Sequence, residues 1–464
     1  MLSRRQFLSS LGAAAIVPRT QGWHGSRAMP SPLLRRATPD PRIGWRGESA
    51  VSMGLRAGTL HDDRVRRRTN PHPPVDWATI GAQLRKTYPD LRRHFVFEYY
   101  PWYATNPWRH WDLWDRQPPS DIAATSVPLL GPYDSRSSSV IEQHARWIAD
   151  TGVGAINISW WGQGSFEDQA VPLVMDVMRD HDIHVTFHLE PYRTDRVSSY
   201  ASDIEYLLRE YGDKRRWDCF LLLENASGKV GPVFKSFRTM VLPTSTDCHG
   251  VVSAIPDYVP DSTWRRQTDG LRTALRAEFD DILLLADVSD IGRMAAAGFD
   301  GMAIYDNFVL PTAWPGLAEL CSSKNLLFSF NVNAGFDGIA LRHVDPGSCY
   351  TPTPVTPAGT YDWTQPLDRE LASEQSLARM AESFRTTIQL QAAEALSNMR
   401  RGVFLTYIGT FNEWHEGTQF EPMKDSADLP PDQRGLGYHN PANGIARLSR
   451  LKELLALVLQ PPSE

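Results

Sequence analysis

The chain has 464 residues, a net charge of −6 and a pI near 6.1, with 42% hydrophobic and 22% charged residues. Such a composition is globular, can bury a large core, and offers no basic surface for a nucleic acid. Fifteen tryptophans exceed ordinary usage, and indole faces serve both large cores and clefts that stack sugar rings.

The N-terminus reads Ser3-Arg4-Arg5-Gln6-Phe7-Leu8, followed by a short, weakly apolar run through Val17, then Pro18 and Arg19. This pattern predicts a cleaved twin-arginine export signal over residues 1–28, read by the twin-arginine machinery, with Ser26-Arg27-Ala28 as a small-x-small cleavage site. A periplasmic or extracellular location is expected. The run is too short to span a bilayer, and no other stretch is long and apolar enough to do so. Residues 29–93 read as an Arg/Pro-rich arm, basic at Arg64-Val65-Arg66-Arg67-Arg68, ending in a helix on which Trp77, Ile80, Leu84 and Leu91 recur at helical spacing. Cys219, Cys248, Cys321 and Cys349 are widely spaced without a CxxC, so metal-ligand spacing is absent, while disulfides and free thiols both stay open.

From residue 94 to 464 a single catalytic domain is expected. Short apolar runs at 95–100, 154–160, 183–189, 231–237, 281–286, 300–305, 326–332 and 403–410 read as strands. Helical patterns lie between several of them, at Val140 to Ala149, Val171 to Arg179, Thr268 to Phe279 and Ser376 to Ala395. Eight such signals interspersed with helices predict an α/β fold, a (β/α)8 TIM-type barrel with long βα loops.

A barrel places its chemistry at the C-terminal strand ends, and the unusual residues fall there. Tyr100, Trp102 and Tyr103 follow the first run, Trp160 and Trp161 the second, and His188, Glu190 and Tyr192 the third. Tyr305 closes the sixth run, and Asn333 follows the seventh. His188 reads either as a site residue or as a core histidine satisfied by a carbonyl, and Glu190 either as a site acid or as an arginine partner. Glu167, Asp168, Glu421 and Asp425 read as ordinary surface acids.

After the eighth run comes Phe411-Asn412-Glu413-Trp414-His415-Glu416-Gly417-Thr418-Gln419. Cleavage of a glycosidic bond needs one acid to protonate the departing oxygen and a second to supply a base or negative charge. A helical turn over 412–417 would bring the two Cβ atoms of Glu413 and Glu416 to roughly 5–6 Å, which suits a retaining enzyme. Trp414 and His415 lie between the acids and are further site candidates. No metal and no cofactor are implied.

These motifs resemble glycoside hydrolase family 99, the endo-α-1,2-mannosidases and mannanases. The likeness runs from about residue 95 to the end. It is carried by the 411–419 motif, by Phe187-His188-Leu189-Glu190-Pro191-Tyr192, by Phe299-Asp300-Gly301 with Tyr305, and by Ser139-Val140-Ile141-Glu142-Gln143-His144. The resemblance implies a (β/α)8 barrel and retaining endo-hydrolysis of an α-mannosidic linkage in α-mannan or an α-mannose-containing oligosaccharide. It also implies that Glu413 takes the proton of the sugar 2-hydroxyl, giving a 1,2-anhydro sugar, and that Glu416 is the general acid/base. Glu190, His188 and Tyr305 would then line the site. Sequence alone does not separate that route from double displacement with Glu413 as nucleophile. It also leaves open a hydrolase of another α-linked polysaccharide and a non-catalytic glycan-binding barrel. Tyr100-Pro101-Trp102-Tyr103-Ala104-Thr105-Asn106-Pro107 departs from the family pattern by an insertion and a missing glycine. Asn331-Val332-Asn333-Ala334-Gly335-Phe336 replaces a glycine-proline loop.

Overall fold

In the computed structural model, residues 74–461 are described except 240, 248, 288–289, 341 and 344–355, so the expected export signal and most of the arm lie outside the described residues. All eight expected strands form: β1 (Phe95–Tyr99), β2 (Ala155–Trp160), β3 (His184–Leu189), β4 (Val230–Ser236), β5 (Leu283–Ala286), β6 (Gly301–Ala303), β7 in two segments (Leu327–Ser329 and Val332–Asn333), and β8 (Thr406–Gly409). Each pairs in parallel with the next, and β1 pairs with β8 in the register Phe95↔Thr406. The break in β7 closes the ring, because its first segment pairs with β6 and its second with β8.

Helices cover the outside: α1 (Trp77–Thr87), α2 (Ser138–Thr151), α3 (Phe166–Asp180), α4 (Tyr200–Leu207), α5 (Asp261–Leu275), α6 (Ile291–Ala296), α7 (Trp314–Ser323), α8 (Pro366–Gln391) and α9 (Ala446–Leu459). The helix expected before the first strand is α1; it packs against α9, and its Arg85 Nη1 donates to Val458 O at 2.7 Å.

Period-two alternation divides each strand between two environments. Phe97, Tyr99, Ile158, Trp160, Phe187 and Phe234 point outward into the main core beneath the helices. The inward positions fill the lower barrel with Val96, Ala155, Val233, Leu283, Leu285, Leu327 and Tyr407. One layer higher, the inward side chains become polar. Glu98, Asn157, His188 and Lys235 are all buried there. A third cluster of Tyr100, Trp102, Tyr103, Trp111, Tyr133, Tyr305 and Trp414 roofs the C-terminal end.

Candidate active site

Beneath the barrel mouth lies an ion-pair floor. Lys235 Nζ on β4 reaches across to Glu98 Oε1 on β1 at 2.6 Å, with Asn157 Nδ2 donating to Glu98 Oε2 at 2.8 Å. His188 Nδ1 lies 3.2 Å from Glu98 Oε2 and 3.7 Å from Glu190 Oε1. Among the described residues neither ring nitrogen of His188 has a hydrogen-bond partner. Burial alone would raise the Glu98 carboxyl, but Lys235 and His188 outweigh it and hold the group at about 2. Lys235 also sits 4.7 Å from the Tyr407 ring centroid and 5.3 Å from that of Tyr305.

Above this floor stand the acids. Glu190 accepts from Ser159 Oγ at 2.8 Å, and Trp161 Nε1 donates to the same hydroxyl at 3.0 Å. Burial raises the Glu190 carboxyl against the opposing pull of His188 and Ser159. Asp287, past the end of β5, is raised to about 6 by burial. Glu413 Oε1 accepts from the His415 backbone N–H at 2.9 Å, and Glu416 Oε2 accepts from Tyr305 OH at 2.8 Å, while Glu416 Oε1 is buried with no hydrogen-bond partner among the described residues.

Glu413 and Glu416 are both raised. Burial is the main cause, joined by Glu416 and Glu190 for the first and by Asp306 and Glu190 for the second. Both carboxyls therefore favour the protonated form more than they would in water. Glu413 is met by a backbone N–H and, at 3.3 Å, by His415 Nδ1, whereas Glu416 is met by a phenol hydroxyl. The Tyr100 phenol faces all four glutamates, and burial and their charge keep it well above the usual tyrosine value.

An aromatic wall flanks the pair. Trp102 stacks on His110 at 4.3 Å and on His415 at 5.5 Å, with Trp161 at 6.2 Å. His415 Nε2 faces His110 O at 3.1 Å, so that nitrogen carries the hydrogen. Burial pushes the His415 imidazole down to about 3.

Several expectations need correction. Residues 412–417 are not helical: Asn412 lies in a bend, Glu413 has no regular structure, and a turn spans 414–417. Asn412 is tied to the Tyr100 backbone at both amide atoms, and Gly417 takes φ +65° against Asp337, which reverses the chain. Trp160 does not line the mouth. Strand alternation turns it outward, where its Nε1 donates to Asp168 at 2.7 Å. The Tyr192 hydroxyl is taken up by Ser199 and Asp203. Asn333 is fully buried, donating to Asn331 and accepting from Gly335 N and Arg379 Nε, so it braces β7 instead of facing a ligand. Trp414 is fully buried beneath the acid loop.

Nor are Glu167, Asp168 and Glu421 surface acids. Glu167 pairs with Arg109 at 2.7 Å, Asp168 gathers Trp160, Tyr206 and Tyr211, and Glu421 is buried behind Trp414. Asp425 is partly exposed, and its Oδ1 accepts from Gly444 N at 2.7 Å. The structure brings together Tyr100, Trp102, Trp161, His188, Glu190, Tyr305, Glu413, His415 and Glu416. Sequence reading missed Glu98, Lys235, Asp287 and His110. A charge inside an otherwise apolar strand was the available signal for the first two.

Comparison with known proteins bears on the fold and the family. The glycosyl hydrolase family 99 model matches residues 92–348, ending before the acid loop. A glycoprotein endo-alpha-1,2-mannosidase-like protein of Danio rerio is 28% identical over 72% of this chain and 73% of its own length. Glycoprotein endo-alpha-1,2-mannosidase of Xenopus laevis is 26% identical over 70% and 68%, respectively. The solved family 99 endo-alpha-mannosidase of Bacteroides thetaiotaomicron superposes with a TM-score of 0.56 at 21% identity, covering 80% of this chain and 99% of that one. The last comparison shows a shared barrel.

Proposed function

The chain belongs to glycosyl hydrolase family 99 and is a glycoside hydrolase, and we propose that it cleaves internal α-1,2-mannosidic linkages in α-mannan or α-mannose-containing oligosaccharides with retention. The observation that carries this reading is the buried Glu413–Glu416 pair, both raised, one held by a backbone N–H and the other by a tyrosine hydroxyl.

In the proposed route Glu413 removes the proton from the sugar 2-hydroxyl while Glu416 protonates the departing oxygen. The axial 2-oxygen of an α-mannoside lies anti to the leaving group, so it closes on the anomeric carbon to give a 1,2-anhydro sugar. Glu416 then takes a proton from water as that water opens the ring at carbon 1, and Glu413 returns its proton to the 2-oxygen. Two inversions give retention. A base strong enough to deprotonate a hydroxyl needs a raised pKa, which burial and the neighbouring acids supply to Glu413. Tyr305 orients Glu416, and the partly exposed Trp161 offers a face for a pyranose ring.

The test is product analysis of the full-length enzyme on α-1,2-linked mannan and on α-linked manno- and gluco-manno-oligosaccharides, with Glu416→Gln as control. Oligosaccharide release by the wild type, lost in the control on substrates with poor leaving groups, is expected. Release of free mannose alone would overturn the endo assignment. We further propose export by the twin-arginine route; a chain with Arg4→Lys and Arg5→Lys that still reached the periplasm would overturn it.

A further inference from the structure

The loop carrying the two acids is closed at its neck. Phe420 N donates to Thr410 O at 2.9 Å and to Phe411 O at 3.0 Å, Glu421 N donates to Phe411 O at 2.8 Å, and the Thr410 and Thr418 hydroxyls share a bond of 2.9 Å. Residues 412–417 project beyond that neck, and the neck bonds do not themselves set where the tip side chains lie.

Glu421 reaches the tip from beneath. Its fully buried carboxylate accepts from Trp414 Nε1 at 3.0 Å, from Tyr133 OH at 2.7 Å and from His144 Nε2 at 3.2 Å. The proton inventory is closed. An indole N–H can only donate, and the Tyr133 hydroxyl, donating to Glu421, accepts from Asn412 Nδ2 at 3.2 Å and shares the Trp414 Nε1–H at 3.3 Å. His144 Nδ1 lies 3.0 Å from Tyr99 OH, so with Nε2–H aimed at Glu421 the Nδ1 lone pair receives the Tyr99 hydroxyl. Three donors converge on one acceptor group, which anchors Trp414, one of the two residues between the acids.

We propose that Glu421, oriented by His144, is a positioning residue that holds Trp414, and through its backbone sets Glu413 and Glu416 against each other. It acts by place and not by charge. Glu413 owes its raised state to burial, Glu416 and Glu190, and Glu416 owes its own to burial, Asp306 and Glu190. The inference rests on Glu413 and Glu416 being the reacting pair.

The experiment measures kcat and KM on one manno-oligosaccharide for Glu421→Leu, Glu421→Gln and Trp414→Phe. The Leu and Phe variants are expected to lose about tenfold to a hundredfold in kcat with KM within about threefold, since misplacement of reacting groups costs chemistry and not binding. Glutamine can still accept from Trp414 and Tyr133 through its oxygen while its amide faces the other tautomer of His144, and it is expected to recover kcat to within about fivefold of wild type. A folded Leu variant with wild-type kcat, a loss confined to KM, or a Gln variant as damaged as Leu overturns the proposal. Should the Leu variant fail to fold, wild-type kcat in Trp414→Phe overturns it equally. A Glu416→Gln control with undiminished kcat would sink the acid assignment instead, whatever the Glu421 series shows.

Discussion

At the scale of single residues, the two carboxyls of the proposed site are held by different partners, Glu413 by a backbone N–H and Glu416 by a phenol. Glu416 is held by Tyr305 OH at 2.8 Å, and that bond lowers a pKa which burial raises. Tyr305→Phe is therefore expected to cost about tenfold in kcat, the worth of one hydrogen bond to a charged group. It should also move the basic limb of the bell-shaped rate profile to higher pH, as a kcat–pH series would show. The acid also bears on stability. A carboxyl raised on folding is paid for once the unfolded chain ionises it, near the ordinary 4.5, and the cost grows until the folded group ionises. Glu416→Gln should raise the melting temperature by about 1–3 °C at pH 7 and by almost nothing at pH 4, a difference that calorimetry at the two pH values would measure.

Elements decide how those residues meet. The acid loop turns on Gly417, where φ is +65° and an added Cβ would stand 2.3 Å from Asp337 O. The contact is framed by bonds from Asp337 N to Glu416 O at 2.8 Å and from Ile339 N to His415 O at 2.9 Å. An alanine there combines backbone strain with a clash against backbone, which a side-chain rotation cannot relieve. Gly417→Ala is expected to lower kcat by at least about tenfold, with about 1–3 kcal/mol lost from stability, measured by steady-state kinetics and urea denaturation. Strand alternation explains the corrected positions. Ser159 and Trp161 serve the mouth while Trp160 between them is turned to Asp168 and the helices.

Across the whole molecule, Lys235 and Glu98 join β4 to β1 through the middle of the barrel, both essentially inaccessible to water. Losing one partner leaves a bare charge. Lys235→Met should cost about 3–5 kcal/mol in chemical denaturation, and adding Glu98→Leu should recover much of it. Since Glu98 is held at about 2 against an ordinary 4.5, its contribution is present above pH 4.5 and fades as pH falls through 2. Full stability of Lys235→Met at pH 7 would contradict a charge-compensated floor.

The eight strands and the clustering of Tyr100, His188, Glu190, Tyr305 and the two acids at their ends were legible in the chain, because apolar runs and their spacing are local properties that survive into a parallel barrel. The family motifs were legible for the same reason. What the chain could not reveal was partnership. Glu421 looks like any acid near a loop until Tyr133, His144 and Trp414 converge on it from 7 to 288 residues away. Lys235 looks like a strand error until Glu98 lies opposite, 137 residues distant. Burying a charge is unfavourable unless a partner arrives, and only closure of the barrel brings partners that far apart in sequence to hydrogen-bonding distance. The same closure turns Trp160 and Asn333 away from the cleft, a choice set by strand register and the break in β7 that no residue type announces.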